Sequence, residues 1–256
     1  MILQEYDAIL GPVGEHVEGC PAPTVLSHIR RAAIRVCEET LLWRYAQDSY
    51  LLTPGVHEYP YQKPVGTDVH VVFSAIMNDF PMEKLTLEQA LNRFPAWAEY
   101  FSGLSPQEVW SMTPSGSLNA FVFNDGLYNH NPDFVPDPEL YKNGGEPRGF
   151  CQLTPDKYVV LPQPNAEKPY KIKLIYALKP KRDSKGMPQE IFSELEDAII
   201  HQAVHTLLAL PGNPWTDTKL AMYHGQKARY HMSERRARAN HGNARGVVRV
   251  QYNRWA

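Results

Sequence analysis

The C-terminal quarter of the chain constrains the fold most. From Pro188 onward it reads as a helix, a tight break, a second helix and a basic tail. Ile191, Leu195, Ala198, Ile199, Ala203, Leu207 and Leu210 recur at three- and four-residue steps, which places them on one side of a helix. In the connector LPGNPWTD, Pro211 and Pro214 lack amide donors, Gly212 permits a left-handed cap, and Thr216 or Asp217 can cap a second helix. That second helix is predicted from about Thr218 to Asn240. Leu220, Tyr223, Ala228, Met232 and Ala239 fall near one stripe, with Lys219, Lys227, Arg229, Arg235, Arg236 and Arg238 largely elsewhere. Two helices joined so tightly must pack antiparallel. After Gly242, the stretch NARGVVRVQYNRWA alternates as a strand does, with no partner strand beside it.

The first 20 residues read as loop. A helix follows from about Thr24 to Trp43 or Tyr45, with Val25, Ile29, Ala32, Ala33, Val36, Cys37, Thr40 and Leu41 on its buried face. At roughly 30 Å it matches the C-terminal helices in length, so the three can form one bundle. Between them the texture is strands and turns. DSYLLTPGVHEYPY is predicted as a hairpin turning at Pro54 and Gly55, and TDVHVVFSAIM as a strand. TLEQALNRF is predicted as a short helix with a capping box of Thr86 and Gln89. EVWSMT, SLNAFVF, KYVVLPQP and YKIKLIYALKP read as further strands, the last with Ile172, Leu174 and Tyr176 on one side and Lys171, Lys173 and Ile175 on the other. Asn124 to Arg148 is rich in Pro, Asn, Gly and Asp and reads as a long surface loop. The expected fold is therefore α+β: an antiparallel bundle of one N-terminal and two C-terminal helices (1–45 and 186–242), an inserted antiparallel β domain (46–185), and an extended C-terminal tail (243–256).

With 256 residues and 43% hydrophobic content, the chain can bury a substantial core. Its start has no basic segment followed by an apolar run, and no window approaches the roughly 18 apolar residues of a membrane span, so intracellular synthesis without membrane insertion is expected. Cys20, Cys37 and Cys151 are widely separated and read as reduced thiols. The net charge of −2 conceals an asymmetry: residues 218–256 hold nine Lys or Arg against Glu234, or +8, which leaves −10 for the first 217. Such a split suits nucleic-acid contact or the docking of a basic tail on another subunit's acidic body.

The patterns that carry chemistry are incomplete. His201 and His205 stand four apart in HQAVH, yet Gln202 occupies the position where a zinc protease needs a glutamate base. They read as polar bundle or interface residues. His130 and Asp133 in NHNPD read as solvated turn residues, and Glu194, Glu196 and Asp197 as the acidic first half of a helix. No G-x-G-x-x-G, G-x-x-x-x-G-K-S or G-x-S-x-G occurs. The chain is expected to be neither an enzyme nor a binder of cofactor or metal.

The order of GCPAPTVLSHIRRAAIRVCEETLLWR, LLTPGVHEYPY, an LPQP turn, YKIKLIYALKP, LLALPGNPWTD, KLAMYHGQKARYHM and GVVRVQYNRWA resembles the bacteriophage head-to-tail adaptor, or connector, family, which is related to the tail tubular proteins of short-tailed phages. The Asn124 to Arg148 loop is longer than that family leads one to expect. The resemblance implies a virion neck protein, assembled in the host cytoplasm. It implies a ring, usually dodecameric, that binds the portal protein above and a tail or nozzle protein below, with packaged DNA passing through its channel. In the tail, Val247, Val248, Val250 and Tyr252 favour a strand, Arg249 and Arg254 add charge, and Trp255 needs a pocket, so a neighbour must supply the missing edge. Portal is the implied receiver. Arg235, Arg236, Arg238 and Arg245 are candidates for contact with DNA or an acidic surface. The alternative reading is a DNA-binding accessory protein that uses this basic C-terminal region.

Overall fold

The computed structural model describes residues 2–94 and 145–241. The fold is mixed α+β, and the chain divides into two compact units. Of the described residues, the first unit takes 2–45, 63–71 and 176–241, and the second takes 46–62, 72–94 and 145–175. Residues 63–71 and 176–185 thus belong with the helices.

The first unit opens with β1 (Leu3–Glu5), a 3-10 turn (Tyr6–Ile9) and α1 (Leu10–Gly14), so the start of the chain is structured and not the predicted loop. Tyr6, Ile9 and Val13 anchor it in the core. Helix α2 (Ala22–Thr40) buries seven of the eight residues assigned to its inner face; the eighth, Leu41, turns left-handed at φ 53° and ends the helix earlier than predicted. Then come β2 (Arg44–Ala46) and, near the end of the chain, β11 (Gly186–Pro188), α4 (Gln189–Leu208) and α5 (Thr218–His241). β1 and β11 pair antiparallel, with Leu3 opposite Pro188 and Glu5 opposite Gly186. The parts of β10 (Lys171–Pro180) and β5 (Thr67–Met77) that lie in this unit follow β2 in the order β2, β10, β5, tied by bonds from Leu178 N to Trp43 O (2.8 Å) and Lys181 N to Gly66 O (2.9 Å).

α4 packs on α2 and α5 on both. Glu194 lies opposite Arg235 and His205 opposite Ala221, so α4 and α5 run back along each other. Their connector works as the residue types require. Gly212 sits at φ 77°, the Thr216 hydroxyl donates to Leu210 O, and Asp217 Oδ1 accepts from the amides of Lys219 (2.9 Å) and Leu220 (3.0 Å). Asp217→Ala strips two α5 amides of their acceptor. It is expected to cost about 1 kcal/mol, seen as a melting temperature lower by about 2–4 °C.

The inner face of α5 differs from the predicted stripe. Ala221, His224, Gly225, Ala228 and Met232 are buried, whereas Tyr223 is 51% exposed. At Ala221, Gly225 and Ala228 the small side chains let α4 approach closely, and Tyr223 lies off this face.

The second unit holds β3 (Tyr50–Leu51), β4 (Glu58–Pro60), β6 (Phe80–Pro81), β7 (Glu83–Leu85), α3 (Leu87–Arg93), β8 (Gly149–Gln152) and β9 (Lys157–Leu161). The predicted hairpin over 48–61 does not form: β3 pairs with β10 and β4 with β9, so its two arms join different sheets. The tight hairpin is instead β5 to β6, turned by Asn78 and Asp79 at φ 46° and 69°, as a primed two-residue turn demands. One sheet here runs β4-β9-β8-β7. Its β7–β8 pair is parallel, which corrects the expectation of an all-antiparallel domain; the more than 60 residues between those strands are ample for a crossover. The capping box forms as predicted, with Thr86 Oγ1 accepting from Gln89 N at 3.2 Å and Gln89 Oε1 from Thr86 N at 3.0 Å. Leu85, Ala90, Cys151, Val159 and Leu161 close the core beneath α3, and Tyr59, Tyr61 and Tyr158 stack beside it. β10 alternates as its sequence predicts, with Ile172, Leu174 and Tyr176 fully buried. EVWSMT, SLNAFVF and NHNPD, with nearly all of the 124–148 loop, lie outside the described residues.

Candidate functional site

Among the polar side chains that the first unit brings together, several histidines gather between α4 and α5. His201 and His205 leave α4 one turn apart, and each meets α5 through its Nδ1. His205 Nδ1 carries the hydrogen, because its partner at 2.8 Å is the carbonyl oxygen of Ala221. His201 Nδ1 lies 3.0 Å from His224 Nδ1, a contact that needs one protonated and one bare nitrogen. His16 packs edge-on against His224 at 4.8 Å between ring centres, and His231 stacks on His201 at 5.5 Å. The result is a continuous row of four rings: His16, His224, His201 and His231.

Gly225 makes room for His205 beside the row. A β-carbon there would stand 2.9 Å from His205 Nδ1, so the glycine gives the imidazole room to reach Ala221. His224 is only 2% exposed. Burial, reinforced by the positive potential of His16, His201 and His205, pulls its pKa down to about 4. Burial also lowers His201, helped by His231, His16 and Lys227 and opposed by the Asp197 carboxylate. At neutral pH these two rings are therefore uncharged acceptors and donors, suited to holding α4 against α5. Among the described residues, no group of three or more His, Cys, Asp or Glu is placed to hold a metal ion. Sequence reasoning found His201 and His205 but missed His224, whose three- and four-residue steps to Ala221 and Ala228 would have flagged a histidine on an apolar stripe.

Farther along α5 the arginines separate. Arg235 donates to Glu194 at 2.7 Å, and Arg238 reaches the same carboxylate at 3.8 Å and Glu234 at 3.1 Å. Arg236 is exposed, as are Lys219, Lys227 and Arg229. Met222 and Tyr230, 61% and 63% exposed, add apolar area to the same helix, and Lys227 Nζ lies 5.8 Å over the Tyr223 ring. Arg245, Val247, Val248, Arg249, Val250, Tyr252, Arg254 and Trp255 lie outside the described residues.

No family model matches the chain, and no curated protein matches it significantly. The three cysteines are free thiols, with Cys37 pushed up to about 12 by complete burial and by the neighbouring Glu38. Among the described residues no helix is long and apolar enough to cross a membrane.

Proposed function

We propose that this chain is a structural protein of a bacteriophage neck, a ring subunit that joins the capsid portal to the tail and continues the DNA channel. The observation that carries the reading is the outer face of α5. Met222, Tyr223 and Tyr230 stand in water, Tyr223 beside Lys227; exposed methionine and tyrosine side chains of this size suit a subunit contact. The helices are consistent with it: α4 packs on α2 and α5 on both, which is what a bundle drawn from the N-terminal and C-terminal parts of the chain, as the resemblance implies, would require. A ring contact is heterologous, and closure of the rotation keeps it from growing into a filament. In this reading the C-terminal tail adds to portal, with a neighbouring subunit as the other receiver.

Native mass measurement of the full chain, alone and mixed with the portal protein of the same virus, tests this. A closed multi-copy particle on portal is expected, and deletion of residues 244–256 is expected to abolish attachment without changing the helical circular dichroism. A mass of one or two copies in both conditions sinks the proposal. The exposed cations Lys219, Lys227, Arg229 and Arg236 favour a second reading, a DNA-binding accessory protein. That reading requires duplex binding that weakens with salt, with a log–log slope near −5 for about six phosphates.

A further inference from the structure

On the side of α2 away from its core, a cavity of about 300 Å³ opens between that helix and the loop joining β10 to β11. Ser27, Arg30, Arg31 and Ile34 line it from α2, at positions that share one helix face, and Arg182 closes it from the loop. Among the described residues no carboxylate lines it. Arg30, Arg31 and Arg182 form neither an ion pair nor a hydrogen bond with any described residue, and Arg30 Nε is sealed from water with no partner. The adjoining groove, which shares Arg31, Ile34 and Arg182, does contain acids, but each is already engaged. Lys179 holds Glu38 at 2.6 Å, Arg35 holds Glu39 at 2.8 Å and Lys63 holds Asp68 at 3.1 Å. Three arginines therefore line one space in which, among the described residues, no carboxylate balances them, and the Nε of Arg30 is left without a hydrogen-bond partner.

A buried or crowded cation without a partner is costly, and an anion that fills the space relieves both the desolvation and the mutual repulsion. We propose that this cavity binds a phosphate group. Three positive charges match a dianion better than a single carboxylate. Guanidinium forks fit phosphate oxygens two at a time, and the Ser27 hydroxyl adds a donor. The phosphate belongs either to a free solute, largely a dianion near neutral pH, or to a nucleic-acid backbone, whose diester carries one charge; both offer a pair of non-bridging oxygens to a guanidinium fork. This site is separate from the outer face of α5, and it stands whether or not the chain forms a ring.

Thermal melts of the full chain at constant pH and ionic strength test the site, with inorganic phosphate replacing sodium chloride. About 10 mM phosphate is expected to raise the melting temperature by about 3 °C, and succinate to leave it unchanged. The Arg31→Gln/Arg182→Gln double variant, altered only at exposed side chains, is expected to fold and to lose the shift. A short duplex measured by fluorescence anisotropy separates the sources. Binding that depends on Arg31 and Arg182 and is displaced by phosphate identifies a backbone phosphate, whereas a phosphate shift without duplex binding identifies a free solute. No shift in phosphate, an equal shift in succinate, or a shift that survives in the double variant overturns the proposal.

Discussion

Gly186→Ala is expected to destabilise the protein by about 3 kcal/mol, read as a melting temperature lower by about 6–12 °C. Gly186 pairs with Glu5 across β1 and β11, and a β-carbon there would collide with the Gln4 carbonyl oxygen while standing 2.8 Å from Gln4 C and 3.0 Å from Glu5 Cα. These are backbone atoms, so no side-chain rotation relieves the clash. The neighbouring bonds leave little room to retreat: Tyr6 N donates to Lys185 O at 3.1 Å, Gln189 N to Ile2 O at 3.0 Å, and Ser184 Oγ to Gly186 O at 2.7 Å. Displacing β1 also drags Tyr6, one of the largest fully buried side chains. Gly14→Ala is the control. Nothing lies within 4 Å of a β-carbon at Gly14, so that variant is expected to melt within about 2 °C of the parent. Equal melting of the two variants would contradict the packing described for β1.

The second large effect is in pH. His224 has a folded-state pKa of about 4 against an ordinary 6.5, so the unfolded chain binds the proton more readily. Its neutral form supports the fold fully above pH 6.5, and that support drains away as pH falls from 6.5 towards 4. The groups that face it set the sign. His16, His201 and His205 oppose a charge on His224, Tyr223 packs edge-on against it, and Lys227 and His231 add positive charge at His201 that Asp197 only partly offsets. Allowing for screening by water at the edge of the row, the loss is about 2 kcal/mol. Denaturant midpoints between pH 7.5 and 4.5 measure it. His224→Gln keeps a polar side chain without the titration and is expected to flatten that slope; an unchanged slope would place the pH sensitivity elsewhere.

Local spacing controls the parts of the fold that were legible in the sequence. The inner faces of α2 and α4, the Thr86 capping box, the Asp217 cap and the alternation of β10 each depend on residues fewer than eight apart. The pairing of strands depends on residues far apart. Tyr50 and Tyr59 look like two arms of one hairpin, but Ile172 and Tyr158 are their partners, and only the folded chain brings those in. α5 misled for another reason. Its buried side joins Ala221, Gly225, Ala228 and Met232 to a histidine, His224, so much of that face carries little hydrophobic signal and the apolar count pointed to Tyr223 on the wrong side. The arginine cavity joins two residues of α2 to one more than 150 positions later, and no spacing rule spans that distance.

The helical unit is stitched from the two extremities of the polypeptide, and this bears on its birth at the ribosome. α2 emerges early, yet the partners that cover Val25, Ile29 and Val36 are about 150–200 residues away in α4 and α5. At a translation rate of roughly 5–20 residues per second, that helix waits about 10–40 s with its apolar side uncovered. Completion of this unit therefore waits for α5 out to Met232, the last buried side chain among its described residues, and nascent chains halted before it would keep a sticky helix in search of company.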